Sequence, residues 1–142
     1  MRAVRRVWPD RRPLFVRLST TDWVGPDGWE VEDSIALARR LRPEGVDLID
    51  CSSGGIAPRV AIDAGPGYQT LNAGRLRSEG AIATAAIGLI TSAAQAEHIL
   101  RTGQADLVFL ARAFLRDPYW PLHAATELGA PAAWPVQYGR VR

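Results

Sequence analysis

Two apolar segments separated by an amphipathic one occupy Ile82–Trp120, and they constrain the fold more than any other part of the sequence. The first, Ile82–Ile90, contains no charged residue, which is typical of a parallel β-strand covered on both faces. The second is Ala105–Ala111, and the intervening segment has the apolar spacing of a helix that ends at Gly103. Such a strand–helix–strand unit predicts neighbouring parallel strands.

The same alternation extends through the N-terminal half of the chain. Leu14–Thr20 and Val46–Cys51 are predicted as strands, with a helix opened by Glu32 and Asp33 between them. Successive strands lie about 30 residues apart, the usual length of a right-handed parallel unit. The chain is therefore predicted to be an α/β protein with four parallel strands, forming either a small doubly wound sheet or half of an eight-stranded barrel.

Further helices are predicted outside these strands. One covers Ala3–Trp8 and another covers Leu71–Glu79. A third is expected to reach Leu128, with Asp117 as its N-cap and Pro118 at its first position. The proline-containing tail that follows is predicted to be extended.

The composition predicts a single domain over residues 1–142. A chain of 142 residues with 47% hydrophobic residues can bury the core of one ordinary domain. The formal net charge is only +2, and the basic cluster between Arg2 and Arg12 does not resemble a nucleic-acid-binding stripe in which basic and aromatic residues are interleaved. We interpret the cluster as a solvated helix end and predict no nucleic-acid partner.

The sequence also predicts the compartment. A single cysteine excludes an internal disulfide framework and favours a reducing environment. The N-terminus has no apolar signal core, and no apolar run approaches the roughly 18 residues that span a membrane. We therefore expect a cytoplasmic protein without a membrane partner, and the spacing of Cys and His predicts no metal site.

The strand ends carry the candidate binding residues. Ligands of parallel α/β folds bind at the C-terminal ends of the strands, where Arg17, Ser52, Gly88 and Arg112 fall, with Ala111 as the last residue of the fourth strand. A strand that ends on a small residue and turns directly into a helix leaves backbone N–H groups free for a phosphate. Close packing of helix on strand also explains Gly88 and Ala111, and a rim ion pair also explains Arg17.

Seven segments of the chain occur in the order of a known family. They are PLFVRLSTTDW, GVDLIDCSSGG, PGYQ, AIGLIT, ADLVFLAR, LRDPYWP and PVQYGR. Together they resemble the C-terminal half of the Old Yellow Enzyme family, and most closely its thermophilic-like or xenobiotic-reductase branch of FMN-dependent ene-reductases. The resemblance covers almost the whole chain and implies a TIM (β/α)8 barrel of which this chain supplies strands five to eight. Because such a barrel needs about 250 residues, its N-terminal half is expected to be missing here.

The resemblance also implies roles for the strand-end residues. Arg17 matches the family's strand-five arginine, which lies against the pyrimidine end of the flavin. Gly88 matches the strand-seven glycine, and Ala111 with Arg112 matches the strand-eight pair whose amides bind the FMN phosphate. The family often has glycine where this chain has Ala85 and Ala111, and alanine cannot adopt a conformation reserved for glycine.

The tail carries one further residue of this pattern. Arg140, in QYGR, matches the arginine that in this branch reaches from one subunit into the active site of its neighbour. The family usually ends on a glycine and an aromatic residue, whereas this chain ends on Val141 and Arg142. A frayed basic tail is the alternative interpretation of Arg140.

The reaction implied by the resemblance has two hydride transfers. NADPH or NADH reduces FMN, and the reduced flavin then reduces an activated alkene such as an enone. The family's substrate-binding His pair and its proton-donating Tyr belong to the missing half, so no catalytic residue is predicted in this chain. An aldolase or isomerase that uses a Schiff base is disfavoured because all 17 basic side chains are arginine.

A half-barrel has two open sheet edges and an uncovered apolar face. We therefore expect the chain to pair with its missing N-terminal half-barrel or with a second copy of itself, as a homo-oligomer. The functional alternative is a catalytically silent half-barrel that assembles without turnover.

Overall fold

A parallel four-stranded sheet forms the centre of the computed structural model, which describes residues 1–140. The strands are β1 (Phe15–Ser19), β2 (Leu48–Ser52), β3 (Ala83–Ala86) and β4 (Leu107–Val108). They pair in chain order, β1-β2-β3-β4, and all three pairings are parallel. The predicted α/β architecture with four parallel strands is therefore confirmed.

Helices connect and flank the strands. They are α1 (Arg2–Arg5), α2 (Val31–Leu41), α3 (Thr70–Glu79), α4 (Ala93–Arg101), α5 (Arg112–Arg116) and α6 (Trp120–Glu127), with 3₁₀ turns at Arg42–Glu44 and Val136–Tyr138. Across residues 1–140, no helix combines the length and apolarity needed to cross a membrane.

The hydrophobic core lies between one face of the sheet and the long helices. Ile49 and Cys51 of β2 are fully buried against Ile35 of α2, Leu76 of α3 and Ile99 of α4. Because side chains alternate along a strand, these β2 residues share one face while Leu48 and Asp50 occupy the other. Cys51 packs as a small apolar residue, as its sequence context predicted.

The opposite face of the sheet is less well covered. Phe15 is 44% exposed and Leu107 is 41% exposed, although the ring of Phe15 lies 6.2 Å from that of Phe109. The side chain of Arg17 is 58% exposed at the same face. In the described part of the chain, β1 and β4 each pair with a single strand. The sheet therefore has two open edges and one partly open face.

The strand order bears on the choice between the two predicted architectures. A doubly wound sheet reverses its strand order at a switch point, whereas successive strands of a barrel lie side by side in chain order. The four described strands follow one another without a reversal. This order is compatible with a barrel segment and also with one half of a doubly wound sheet.

All four strands are shorter than predicted, and the third and fourth by several residues. The third was expected over Ile82–Ile90, but β3 ends at Ala86, because Gly88 and Leu89 have φ values of +111° and +50°, outside the β region. The fourth was expected over Ala105–Ala111, but β4 contains only Leu107–Val108. It has β3 as its single partner, so its ladder stops where β3 stops.

The helix predicted from Asp117 to Leu128 is present as α6, but its predicted start is wrong. Asp117 instead ends α5 with φ −141° and ψ 93°, and Tyr119 is the N-cap of α6. Pro118 explains the break, because a proline disfavours the helical conformation of the residue before it. The first helix ends at Arg5 rather than at Trp8, and the tail contains a 3₁₀ turn where an extended chain was predicted.

Candidate functional site

A cavity of about 330 Å³ opens at the C-terminal ends of the strands. Pockets for small ligands and cofactors typically measure about 300–1,000 Å³. Five of the residues that line it were singled out from the sequence, namely Arg17, Ser52, Gly88, Ala111 and Arg112. They come from four separate segments of the chain, and the fold brings them to one place.

The turn after β3 gives the cavity one of its walls. Gly88 has a φ of +111°, a conformation that side-chain-bearing residues rarely adopt. A Cβ atom at this position would lie 2.5 Å from Nε2 of Gln69 and 2.8 Å from Cε1 of Tyr68. The carbonyl of Gly88 also accepts a 3.0 Å hydrogen bond from the backbone N–H of Gly67. Both its conformation and its surroundings therefore require glycine.

The side-chain amide of Gln69 holds this turn in place through hydrogen bonds. It is only 3% exposed, and its Nε2 donates a 2.9 Å hydrogen bond to the carbonyl of Ile87. Its Oε1 accepts a 2.6 Å hydrogen bond from the hydroxyl of Ser53, in the loop after β2. One buried amide thus joins the ends of β2 and β3. Sequence reasoning assigned no role to Gln69; its place in the PGYQ segment was the available signal.

The segment after β4 gives the cavity a second wall. Ala111 has φ −114° and ψ −82°, with a negative φ that alanine tolerates, so glycine is not required there. Ala85 lies within β3 and is fully buried, again without a glycine-only conformation. Both departures from the family's glycines are therefore compatible with the backbone.

Backbone donors are free at this second wall. Within residues 1–140, the N–H groups of Ala111, Arg112 and Ala113 donate to no backbone carbonyl, and no side chain caps α5. All three residues line the cavity. Because α5 has only five residues, we attribute the anion-binding capacity to these individual N–H groups and to the charge of Arg112 rather than to a helix dipole.

Arg17 lies at the other side of the cavity and is paired with an acid. Its Nε is 3.4 Å from Oδ2 of Asp50, the residue beside it in the β1–β2 register. Burial raises the pKa of Asp50 above its ordinary value, and the charge of Arg17 opposes that rise. The sequence suggested a flavin contact and a rim ion pair as alternatives for Arg17, and its geometry accommodates both.

The cavity has a positive lining. Arg17, Arg112 and Arg116 all contribute to it, and Arg116 was not singled out from the sequence. Ser52, Tyr68 and Thr91 add hydroxyl groups, while Phe109 and Leu110 provide apolar surface. An anionic ligand with a flat apolar part suits this combination of donors, cations and aromatic surface.

Arg140 does not line this cavity. It is exposed and follows the Val136–Tyr138 turn, where the hydroxyl of Tyr138 lies 3.2 Å from that of Tyr119. The ring of Trp134 packs against those of Tyr119 and His123, which holds the tail against α6. Val141 and Arg142, which the sequence analysis compared with the family's ending, lie outside the described residues.

Comparison with known proteins identifies the family. Residues 1–130 match the sequence profile of the NADH:flavin oxidoreductase / NADH oxidase family. This chain belongs to that family. The resemblance to a flavin-dependent oxidoreductase family predicted from the sequence is thereby confirmed, and the flavin and nicotinamide in the family's description agree with the predicted cofactors.

Named relatives within the NADH:flavin oxidoreductase family cover this chain almost completely. An NADPH dehydrogenase of Geobacillus sp. (strain WCH70) is 54% identical over 138 residues, and one of Geobacillus thermodenitrificans is 52% identical over 138 residues. The NADPH dehydrogenase of Bacillus licheniformis is 49% identical over 138 residues. In each case the match covers 97% of this chain but only 39% to 40% of the relative. The chain therefore spans about two fifths of the length of these relatives.

Proposed function

We propose that this chain is the FMN-binding C-terminal half, strands five to eight, of a (β/α)8 barrel with NAD(P)H-dependent ene-reductase activity. The observation that carries the proposal is the convergence of Arg17, Gly88, Ala111 and Arg112 on one cavity at the strand ends. The family match supplies the flavin and the nicotinamide reductant, and the relatives' name favours NADPH.

The barrel assignment rests on topology and length. Strands in chain order with the long helices packed on one face are the arrangement of successive barrel units. The relatives are longer by more than the length of this chain, which leaves room for four further units. The open edges of β1 and β4 are where those units, or a second copy of this chain, would pair.

The phosphate contacts are assigned to the turns after β3 and β4. The free N–H groups of Ala111, Arg112 and Ala113 supply donors, and the guanidinium of Arg112 adds a charge-assisted hydrogen bond. Gly88 forms the facing wall, where the absence of a side chain leaves room beside Gln69 and Tyr68. These groups fit a phosphate monoester.

Arg17 is assigned to the pyrimidine end of the ring. A fixed guanidinium there stabilises the negative charge that reduction places near N1 and the C2 carbonyl. FMN, when bound, supplies the hydride chemistry that connects a nicotinamide to an activated alkene. This chain's own residues bind and orient it, and the groups that activate the alkene are assigned to the other half of the barrel.

The neighbouring-subunit role of Arg140 is proposed from its placement. Its exposed position beyond the cavity of its own chain, on a tail held by Trp134 and Tyr138, suits a contact with another subunit. In the second candidate function, the chain is a half-barrel that assembles without turnover. The open sheet face with the exposed Phe15 and Leu107 favours that assembly.

A binding titration tests the proposal. The 142-residue chain is titrated into FMN and, in parallel, into riboflavin, which lacks the phosphate, while flavin fluorescence is followed. Arg112→Gln removes a hydrogen bond to a charged group, worth about 1.5–3 kcal/mol, so FMN affinity should fall by about tenfold to a hundredfold. Riboflavin affinity should not change.

Arg101→Gln is the matched control, because Arg101 pairs with Glu97 on the exposed side of α4. It should bind FMN as the unaltered chain does. If the unaltered chain binds FMN no better than riboflavin, the assigned phosphate site is wrong. If it binds neither, the FMN-binding function is wrong for this chain.

A further inference from the structure

Asp50 is a buried acid to which the proposed function gives no role. It is 6% exposed and lies beside Arg17 of β1 and Ala85 of β3, just outside the lining of the cavity. Its Oδ1 is buried and has no hydrogen-bond partner among the described residues. Burying a carboxylate costs free energy unless its charge is compensated, and an apolar residue of similar size would avoid that cost.

Arg17 is the cation in contact with Asp50. The 3.4 Å contact joins Nε of the guanidinium to Oδ2 of the carboxylate. A guanidinium has five N–H donors, so a contact at Nε leaves the terminal NH₂ groups for another acceptor. Because the side chain of Arg17 is 58% exposed and lines the cavity, those donors are accessible to a ligand there.

We propose that Asp50 is a positioning residue that holds Nε of Arg17 and offsets part of its charge, so that the pair sets how strongly the cavity stabilises reduced FMN. The inference rests on the proposed function. A carboxylate next to the guanidinium lowers the positive potential at the ring site. Removing the carboxylate charge should therefore favour the reduced, more negative form of the cofactor.

Few other titratable side chains lie close enough to change the potential at the flavin site. The titratable side chains that line the same cavity are Arg17, Arg112, Arg116 and Tyr68. Cys51 follows Asp50 but faces the core, and burial raises the pKa of its thiol to about 12. Asp50 is linked to the cavity through Arg17, and burial raises the pKa of its carboxyl above the ordinary value, so its charge is lost at a higher pH than that of an exposed aspartate.

The test measures the midpoint potential of FMN bound to the 142-residue chain, by equilibration with reference dyes from about pH 4.5 to 8. Asp50→Asn should favour reduced over oxidised FMN by about tenfold at pH 8, which is about 30 mV for a two-electron couple. The unaltered chain should approach the variant at acidic pH, where Asp50 is protonated. The flavin's own titration cancels in the difference between the two proteins.

Two further variants serve as controls. Glu97→Gln removes one negative charge at the distant pair with Arg101 and should leave the potential unchanged. Asp50→Glu keeps the carboxylate and should keep the pH dependence that Asp50→Asn loses. Equal potentials at pH 8, or a difference that does not change with pH, would overturn the inference.

A readout without FMN separates this inference from the proposed function. In a double-mutant cycle of urea unfolding, Arg17→Gln and Asp50→Asn should be non-additive by at least about threefold in the unfolding constant. Additive effects would overturn the positioning role even if FMN binds. The unaltered chain could also fail to bind FMN while the cycle is non-additive. That result would overturn the proposed function and the redox part of the inference, but it would support the pairing of Asp50 with Arg17.

Discussion

Gly88→Ala is the substitution that most directly tests the architecture of the cavity. A side-chain-bearing residue at φ +111° carries about 1–3 kcal/mol of backbone strain. The added methyl group would meet Nε2 of Gln69 at 2.5 Å and Cε1 of Tyr68 at 2.8 Å. Overpacking of this kind costs about 1–3 kcal/mol. The two effects together should lower the free energy of unfolding by about 2–6 kcal/mol.

Urea unfolding of the 142-residue chain measures this loss. Gly65→Ala is the matched control, since a Cβ at Gly65 meets no atom within 4 Å and its φ is not in the left-handed region. It should change the free energy of unfolding by less than about 1 kcal/mol. Gln69→Ala by itself loses the hydrogen bonds to Ile87 and Ser53, so it is the reference for the double variant. Adding Gly88→Ala to Gln69→Ala should cost less than adding it to the unaltered chain, because only the contact with Tyr68 and the backbone strain remain. A Gly88→Ala variant as stable as the control would refute the argument.

Two further predictions concern the loop after β1 and the open sheet face. The carboxylate of Asp22 accepts 2.9 Å hydrogen bonds from the N–H groups of Trp29 and Val24, and these hydrogen bonds lower the pKa of Asp22. The ionised carboxylate therefore stabilises the folded chain above the pKa that Asp22 has in the unfolded chain. This stabilisation is lost as the pH falls through the lower pKa of the folded chain. Asp22→Asn should therefore be less stable than the unaltered chain at pH 7, and urea unfolding should show the difference shrinking as the pH falls below the ordinary pKa of an aspartate. A difference that does not change with pH would contradict this. Phe15→Glu places a charge on the open sheet face and should shift the sedimentation coefficient toward that of the monomer. The control Leu71→Glu, on the exposed surface of α3, should leave the sedimentation coefficient unchanged. An unaltered chain that is already monomeric would contradict the expected assembly.

The general fold could be predicted because it depends on periodicity. The alternation in Leu14–Thr20 assigned Val16 and Leu18 to the helix-covered face and Arg17 to the other, as observed. The placement of Leu76 in the core followed from helical spacing alone. Such patterns record which side of an element faces away from water, and that is a local property of the sequence.

Strand ends and helix ends were harder to predict because they depend on neighbours. Apolar composition favoured a strand through Ile90, but the left-handed conformations of Gly88 and Leu89 end β3 earlier. Asp117 and Pro118 have the residue types of a helix start, yet α5 before them takes Asp117 as its last cap. Local propensity could not detect that competing helix.

The candidate site was predicted only in part, because some of its residues also depend on neighbours that are distant in the sequence. Arg17, Gly88, Ala111 and Arg112 could be named because strand ends share one edge of a parallel sheet. The roles of Gln69 and Asp50 could not, because each depends on a contact between segments that are distant in the sequence: Gln69 with Ile87, and Asp50 with Arg17.

Because Cys51 is buried, the reactivity of its thiol reports on unfolding of the chain. It is the single thiol of the sequence, it is fully buried in the core, and its raised pKa keeps it protonated at neutral pH. A thiolate-directed reagent can therefore react with it only after the sheet and the helices over it separate. The alkylation rate of this one atom measures how often the folded chain opens, without a dye, a label or a bound flavin.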